Sequence, residues 1–453
     1  MSMTSPDCQK RISSHASGTG RGRWAIGLVV AVWAVLAGFL VERTPVFAED
    51  RAENEAANLV RIFIKRGHGY IHGYINTQGK LVIPPRFQSA WDFSANGLAV
   101  VRENGKYGYI NAQGAWAIPL KFDSASGFAD NGLAYARESG EGGKYGYINA
   151  KGEWVISPKF HWAAGFANNG LALVAEGENM KDGKFGCINA QGEWVIPPRF
   201  KGVTCWFAAN GLAPVRENEK WGYINIRGEM VIPPKFDREG GFSDNGLARN
   251  LENKKWGYIN AQGEWAIPPR FEDAWSFDDN GFAWVKEDGK WGYINAQEAW
   301  EIPAKFEEVG FFKSNGLAAV RENGKYGYIN IQGEWMIPPK FEYAGWFEAN
   351  GLAAVRENGK YGYINAQGEW VIPPRFKIIT DGGCEETDSF YANGLAWIME
   401  DENGKTSYIN LRGETVVFID EVCGFEVLKN GQGEIIWPSQ EALSLQCKKA
   451  DEN

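Results

Sequence analysis

Side chains that commonly do chemistry are few in this chain, and they do not recur. The four histidines are His15, His68, His72 and His161. A metal centre needs three or four ligands gathered in one place. These histidines are neither clustered nor repeated, so repeated metal sites are excluded and no metal centre is expected. His68 and His72 read as part of a solvated hairpin. Of the six cysteines, Cys8 precedes an apolar run, while Cys187, Cys205, Cys384, Cys423 and Cys447 follow it. Thiols persist as disulfides in an oxidising compartment, and a Cys187–Cys205 bridge and a pair among the last three are both open to this sequence. The acidic tracts Asp278-Asp279 and Asp381 to Asp388 lack the alternating oxygen spacing of an EF-hand loop and read as solvated loops. Paired carboxylates for acid–base work are available only in the insertion between Phe376 and Phe390, with Asp381, Glu385, Glu386 and Asp388. A solvated acidic loop explains them more simply. Nucleophilic triads depend on spatial proximity, and nothing here points to one. No catalytic residue and no cofactor is expected.

What recurs is aromatic and turn-forming. A Tyr/Trp-Gly-Tyr-Ile-Asn segment places its glycine at Gly73, Gly108, Gly146, Gly186, Gly222, Gly257, Gly292, Gly327 and Gly362, with Ser407 in a degenerate tenth copy. The steps are 35, 38, 40, 36, 35, 35, 35, 35 and 45 residues, a period that marks a solenoid, propeller or array. In the copy from Gly351 to Phe376, Leu352 to Glu357 reads as a strand. Asn358-Gly359 supplies a two-residue hairpin turn, and Lys360 to Asn365 is the partner strand. Ala366-Gln367-Gly368 forms a second turn into a third strand, Glu369 to Ile372, which Pro373-Pro374 is expected to end. Each unit is thus a three-stranded meander with apolar residues on both faces, and neighbours must cover it.

A connector follows each meander, with two phenylalanines about six residues apart, as at Phe341 and Phe347. Burying such rings offsets the cost of ordering a loop. The recurring asparagines read as turn residues, and Trp116, Trp154, Trp194, Trp265, Trp300, Trp335 and Trp370 read as one face of a packed third strand. Between the connector phenylalanines the residues vary freely while including large rings: Trp91, Trp162, Trp206, Trp275, Phe311, Tyr343 and Trp346. These seven are the candidate binding residues, either exposed as an aromatic track or packed on the next connector.

The motif Lys-Trp-Gly-Tyr-Ile-Asn-x-x-Gly-Glu-x-x-Ile-Pro-Pro-x-Phe, as at Lys220 to Phe236 and Lys255 to Phe271, resembles the bacterial WG-repeat family across nearly the whole chain after the N-terminus. The resemblance implies a β-rich repeat protein without an established enzymatic activity. Departures are Glu298 for a turn glycine, Ser407 for the motif glycine, and Ser157 and Ala304 within Pro-Pro pairs; local strain is expected there. The fold expected is all-β, a tandem array of about ten 35-residue meanders. An open β-solenoid or superhelix is favoured, because ten units exceed the four to eight blades usual in propellers; the alternative is a closed toroid or propeller-like ring. Leu59 to Ile64 is expected to cap one end. Residues 59–420 would form the array, 421–438 a capping hairpin and 439–453 an amphipathic or disordered tail.

Residues 1–48 resemble an export signal: the apolar run Trp24 to Val41 follows Lys10, Arg11, Arg21 and Arg23 and precedes Val46-Phe47-Ala48, a small-residue cleavage pattern. Cleavage after Ala48 and retention as a membrane tether through residues 24–41 both remain open, with 49–58 as linker. Either places the array outside the cytoplasm: periplasmic, secreted or anchored to the inner membrane. Residues 1–48 hold five Lys/Arg and two Asp/Glu, leaving 42 Lys/Arg against 54 Asp/Glu, a balance of −12. No basic stripe is present to bind nucleic acid. The expected function is a non-catalytic exported binding or scaffold protein presenting its connectors to protein partners; the rival is an envelope-glycan binder.

Overall fold

The computed structural model describes residues 56–451 apart from 57, 67–68, 140–142, 177–183, 381–389, 391–393 and 401–404. The expected signal or anchor at 1–48, most of the linker, and the acidic residues Asp381 to Asp388 lie outside the described residues. Among the described residues, ten antiparallel sheets follow one another along the chain, with three strands in the first, four in each of the next eight and six in the last.

One sheet shows how the residues dictate the unit. Ala353–Glu357 pairs with Lys360–Ile364. The turn between them holds Asn358 and Gly359 at φ 51° and 73°, the left-handed pair that a type I′ hairpin requires. At the second turn the Asn365 side-chain oxygen accepts from the Gln367 and Glu369 N–H groups at 3.0 Å each. The recurring asparagine is a turn device, as the sequence suggests.

Two features differ from the expected meander. The third strand, Trp370–Phe376, runs through Pro373-Pro374 instead of stopping there. It is the edge of its sheet, where a missing N–H costs little. Its pairing jumps from Tyr363↔Ile372 to Tyr361↔Phe376, so a bulge of the strand lies over Gly362. A Cβ on Gly362 would stand 2.5 Å from the Ile372 carbonyl and 2.8 Å from the Pro374 nitrogen. The motif glycine and the proline bulge are one device. The second difference is a fourth, short strand contributed by the connector: Tyr343 and Ala344 pair with Arg356 and Val355.

The irregular units are accommodated at Ser407, Ser157 and Ala304, and the expected strain is met at Glu298, which takes a left-handed backbone in place of glycine. In the last sheet, which has no Pro-Pro, Ser407↔Phe418 and Tyr408↔Val417 stay in step, leaving room for a side chain; the Ser407 hydroxyl donates to Glu400 at 2.6 Å. A single proline keeps the bulge where Ser157 or Ala304 stands, since Gly146 and Gly292 still face backbone atoms at 2.4 Å and 2.6 Å. Glu298 adopts φ 65° and pairs with Arg270 at 2.7 Å.

Neighbouring sheets pack face to face. Tyr109, Ile118 and Phe122 share a core with Phe128, Ala134 and Ile148 of the next sheet. Each third-strand tryptophan meets the preceding sheet's phenylalanine edge-on, as with Phe306 and Trp335 at 6.0 Å between ring centres. The last sheet meets the first in the same manner. Val60, Ile62 and Ile64 share a core with Leu395, Tyr408, Val417 and Leu428. Gly79 lies on Val416, as Gly152 lies on Ile118, and the Tyr408 hydroxyl donates to the Arg61 carbonyl at 3.3 Å.

The array therefore closes into a ten-bladed propeller; the favoured open superhelix is incorrect and the closed alternative holds. Six of the sheets widen from a two-residue connector strand to a seven-residue third strand, as from Tyr343–Ala344 to Trp370–Phe376, and tapered units stacked face to face turn at each step. The segments expected to cap two free ends join each other instead. Val60–Arg66 is the first strand of the first sheet, and Phe425–Asn430 with Ile435–Trp437 extends the last sheet. The tail forms a helix, Gln440–Asp451, which buries Leu443 and is tied by the Cys423–Cys447 disulfide.

Candidate functional site

The variable connectors are held in place by invariant chemistry. The buried middle-strand tyrosine of one blade donates its hydroxyl to a carbonyl in the next blade's connector: Tyr258 to Trp275 at 2.6 Å, Tyr293 to Gly310 at 2.7 Å and Tyr328 to Gly345 at 2.7 Å. The same ring packs on the connector's second phenylalanine, with Tyr293 and Phe312 4.9 Å apart. Burial raises the pKa of Tyr293 well above its ordinary value, so the hydroxyl stays a donor. Cys187 stands where this tyrosine would be and bonds to Cys205 in the following connector, Cα to Cα 5.8 Å. A disulfide there replaces the hydrogen bond. Both described disulfides fit the pairings left open by the sequence, with Cys384 outside the described residues.

On these fixed loops the seven candidate rings are unequally placed. Trp91, Trp206, Trp275 and Trp346 are 37%, 55%, 37% and 40% exposed, while Trp162, Phe311 and Tyr343 are half-buried. Trp91 packs on Tyr107 at 5.8 Å and Trp162 on Phe185 at 5.9 Å, each pair standing apart from the main group. Trp206 joins none of these contacts, and the remaining four converge in the later blades. Trp275 lies 6.0 Å from Phe311 of the next connector, and Tyr343 sits between Tyr326 at 6.2 Å and Tyr361 at 5.9 Å. Phe311, Tyr326, Tyr343 and Trp346 line a slot of about 140 Å³ whose floor includes Gly310, Ala344 and Gly345.

Trp284, absent from the candidates, joins this group together. It is 5.2 Å from Trp275 in its own connector and 4.4 Å from Phe311 in the next. Its position, opposite the middle-strand motif tyrosine, holds Val100, Tyr135, Leu173, Pro214, Arg249, Trp284, Ala319, Ala354 and Trp397 from the second blade to the last. That variability was a signal equal to the one in the connectors. Cations lie over several rings: Arg249 over Trp256 and Trp275 at 5.0 Å and 5.1 Å, and Lys313 over Trp346 at 4.3 Å. Partial burial lowers the pKa of both Arg249 and Lys313.

The polar candidates have structural employment. Asp278 accepts from the Asn280 and Phe282 N–H groups at 2.9 Å and 3.0 Å, forming a turn, and burial raises its pKa. His72 is partly buried beside the Phe63 ring, 6.2 Å between centres, and burial lowers its pKa to about 4; it is no part of a solvated hairpin tip. Among the described residues no group of three His, Cys, Asp or Glu side chains is arranged to hold a metal ion.

A family model described as a WG-containing repeat matches nine consecutive segments, from residues 73–107 to 361–403. No curated protein matches the sequence. Solved structures resemble it weakly. The eukaryotic initiation factor is 9% identical over 72% of this chain and 96% of its own, with a TM-score of 0.46. Hsv2p of Kluyveromyces lactis is 9% identical over 60% and 97%, with a TM-score of 0.32. Likenesses of this size carry no inference about function.

Proposed function

The chain belongs to the WG-repeat family, and from that premise we propose that it is an exported, non-catalytic binding or scaffold protein whose connectors dock protein partners. The observation that carries the reading is the contiguous aromatic group of Trp275, Phe311, Tyr343 and Trp346 on fixed connectors with Trp284 on the strand between them, still exposed in part. Aromatic side chains supply large contact area at low entropic cost, and they are enriched where interfaces concentrate their energy. Export is supported by the basic residues and apolar run at the N-terminus together with the two disulfides, which persist in oxidising compartments.

Envelope glycan is the second reading, because tryptophans as exposed as Trp206 and Trp346 can lie flat against sugar rings. One experiment separates the two. Envelope proteins and envelope polysaccharide are each offered to the intact protein and to a Trp275→Ala/Trp346→Ala variant. Cross-linking of a discrete protein that the variant loses supports protein docking. Tryptophan fluorescence quenched by oligosaccharide, and lost in the variant, supports the glycan reading in its place. Equal behaviour of the variant in both assays defeats the connector surface altogether.

A further inference from the structure

The slot between Phe311 and Trp346 has a chemistry more specific than a sticky patch. Four aromatic rings line it, and among the described residues the only charged side chain in its lining is the Glu308 carboxylate. Ring faces carry negative potential and attract cations. The floor glycines offer nothing to an anion, since the Gly310 and Gly345 N–H groups are already bonded to the Ala319 and Ala354 carbonyls at 2.9 Å and 2.8 Å. The same rings already seat cations of this chain: the Lys313 ammonium lies 4.3 Å from the Trp346 ring centre and the Arg321 guanidinium 5.8 Å from that of Tyr326. Neither residue lines the slot. At about 140 Å³ it has room for roughly the liquid volume of four or five waters, which suits one side-chain headgroup. The balance of −12 beyond residue 48 draws basic partners toward the surface.

We propose that this slot is an aromatic cage that seats the lysine or arginine headgroup of a basic partner segment. The proposal rests on the connectors being a protein-docking face and names the side chain they select. Glu308 sits at the cage wall, where it accepts from the Arg321 guanidinium at 2.6 Å and from the Tyr326 hydroxyl. It holds the Tyr326 ring in place, and its charge is shared with Arg321, so the rings supply the attraction for the guest.

The test uses the full chain and two labelled peptides that differ only in carrying lysine or norleucine, followed by fluorescence anisotropy. The lysine peptide is expected to bind more tightly, and Trp346→Ala to weaken it about tenfold. Trp346→Phe, which keeps a ring, should retain most of the affinity, which separates loss of the cage from loss of the fold. Tetramethylammonium chloride should displace the lysine peptide more effectively than sodium chloride at equal ionic strength. Failure of the lysine peptide to bind, or equal binding of the norleucine peptide, overturns the cage. If the norleucine peptide binds equally and Trp275→Ala weakens both, the docking face stands without its selectivity. If no connector substitution affects either peptide, both readings fall.

Discussion

At the scale of residues, the most constrained position is the motif glycine, and its reason is steric rather than conformational. No positive φ occurs at Gly257; instead the bulged backbone of the third strand lies on it, and a Cβ would meet the Ile267 carbonyl at 2.6 Å and the Pro269 nitrogen at 2.7 Å. Gly257→Ala should therefore destabilise the protein by about 3 kcal/mol or more, the upper range for overpacking. Ser407→Gly, in the sheet without the bulge, should cost only about 1 kcal/mol for the lost hydrogen bond. Denaturant unfolding of the two variants checks the contrast, and similar costs would refute the pairing of glycine with bulge. Cysteine follows the same logic of substitution. Cys187–Cys205 closes a separation of 18 residues, so removing it with Cys205→Ser should cost about 3 kcal/mol. Reductant should lower the unfolding midpoint of the parent chain and leave this part of the variant's deficit unchanged. The glycine, the asparagines and the cysteines were all visible in the sequence. What hid the meaning of the glycine and the cysteines was that the partner of each lies in another strand or another repeat, whereas each asparagine bonds within its own turn and was legible there.

At the scale of elements, the prolines that looked like stop signals are guards on an exposed edge. Every regular blade ends in a third strand bonded on one side only, and such an edge invites pairing with another molecule. Prolines remove the N–H groups that pairing would use. The last sheet confirms the logic by exception: Thr415–Val422 contains no proline, and there the strands Phe425–Asn430 and Ile435–Trp437 cover the edge. Pro338→Ala/Pro339→Ala should leave the ring folded yet increase self-association, helped by Met336 in the same strand, which is 53% exposed. Sedimentation velocity at rising concentration reads this directly, and an unchanged monomer would remove the guarding role. Strand positions and both turns were legible because Asn-Gly pairs and alternating apolar residues act locally. The fourth strand was not, because Ser89-Ala90 or Tyr343-Ala344 is too short to show any alternation and forms only by pairing with the strand that follows.

At the scale of the whole molecule, closure was the feature the sequence withheld. A repeat specifies how each unit meets the next, and whether ten such steps return to the start depends on an angle no single motif encodes. The irregular ends carried the missing information. Arg66 lies 4.8 Å from the Trp437 ring and 5.8 Å from that of Phe425, and the Lys65 N–H donates to Glu426 at 2.5 Å, so residues that read as opposite caps are neighbours. A chain ending at Val422 tests what this contact is worth. It loses Val427 and Leu428, both fully buried, and with them about 3 kcal/mol or more of apolar burial. In an open stack the damage would stay in the last sheets. In the ring it must reach the first, so hydrogen exchange in Val60–Arg66 and Gly69–Ile75 should accelerate together with that of Thr406–Asn410, although some 330 residues of sequence lie between them. Protection of the first sheet unchanged by the truncation would mean that the seam bears no load, and the ring would then be closed in shape without being closed in energy.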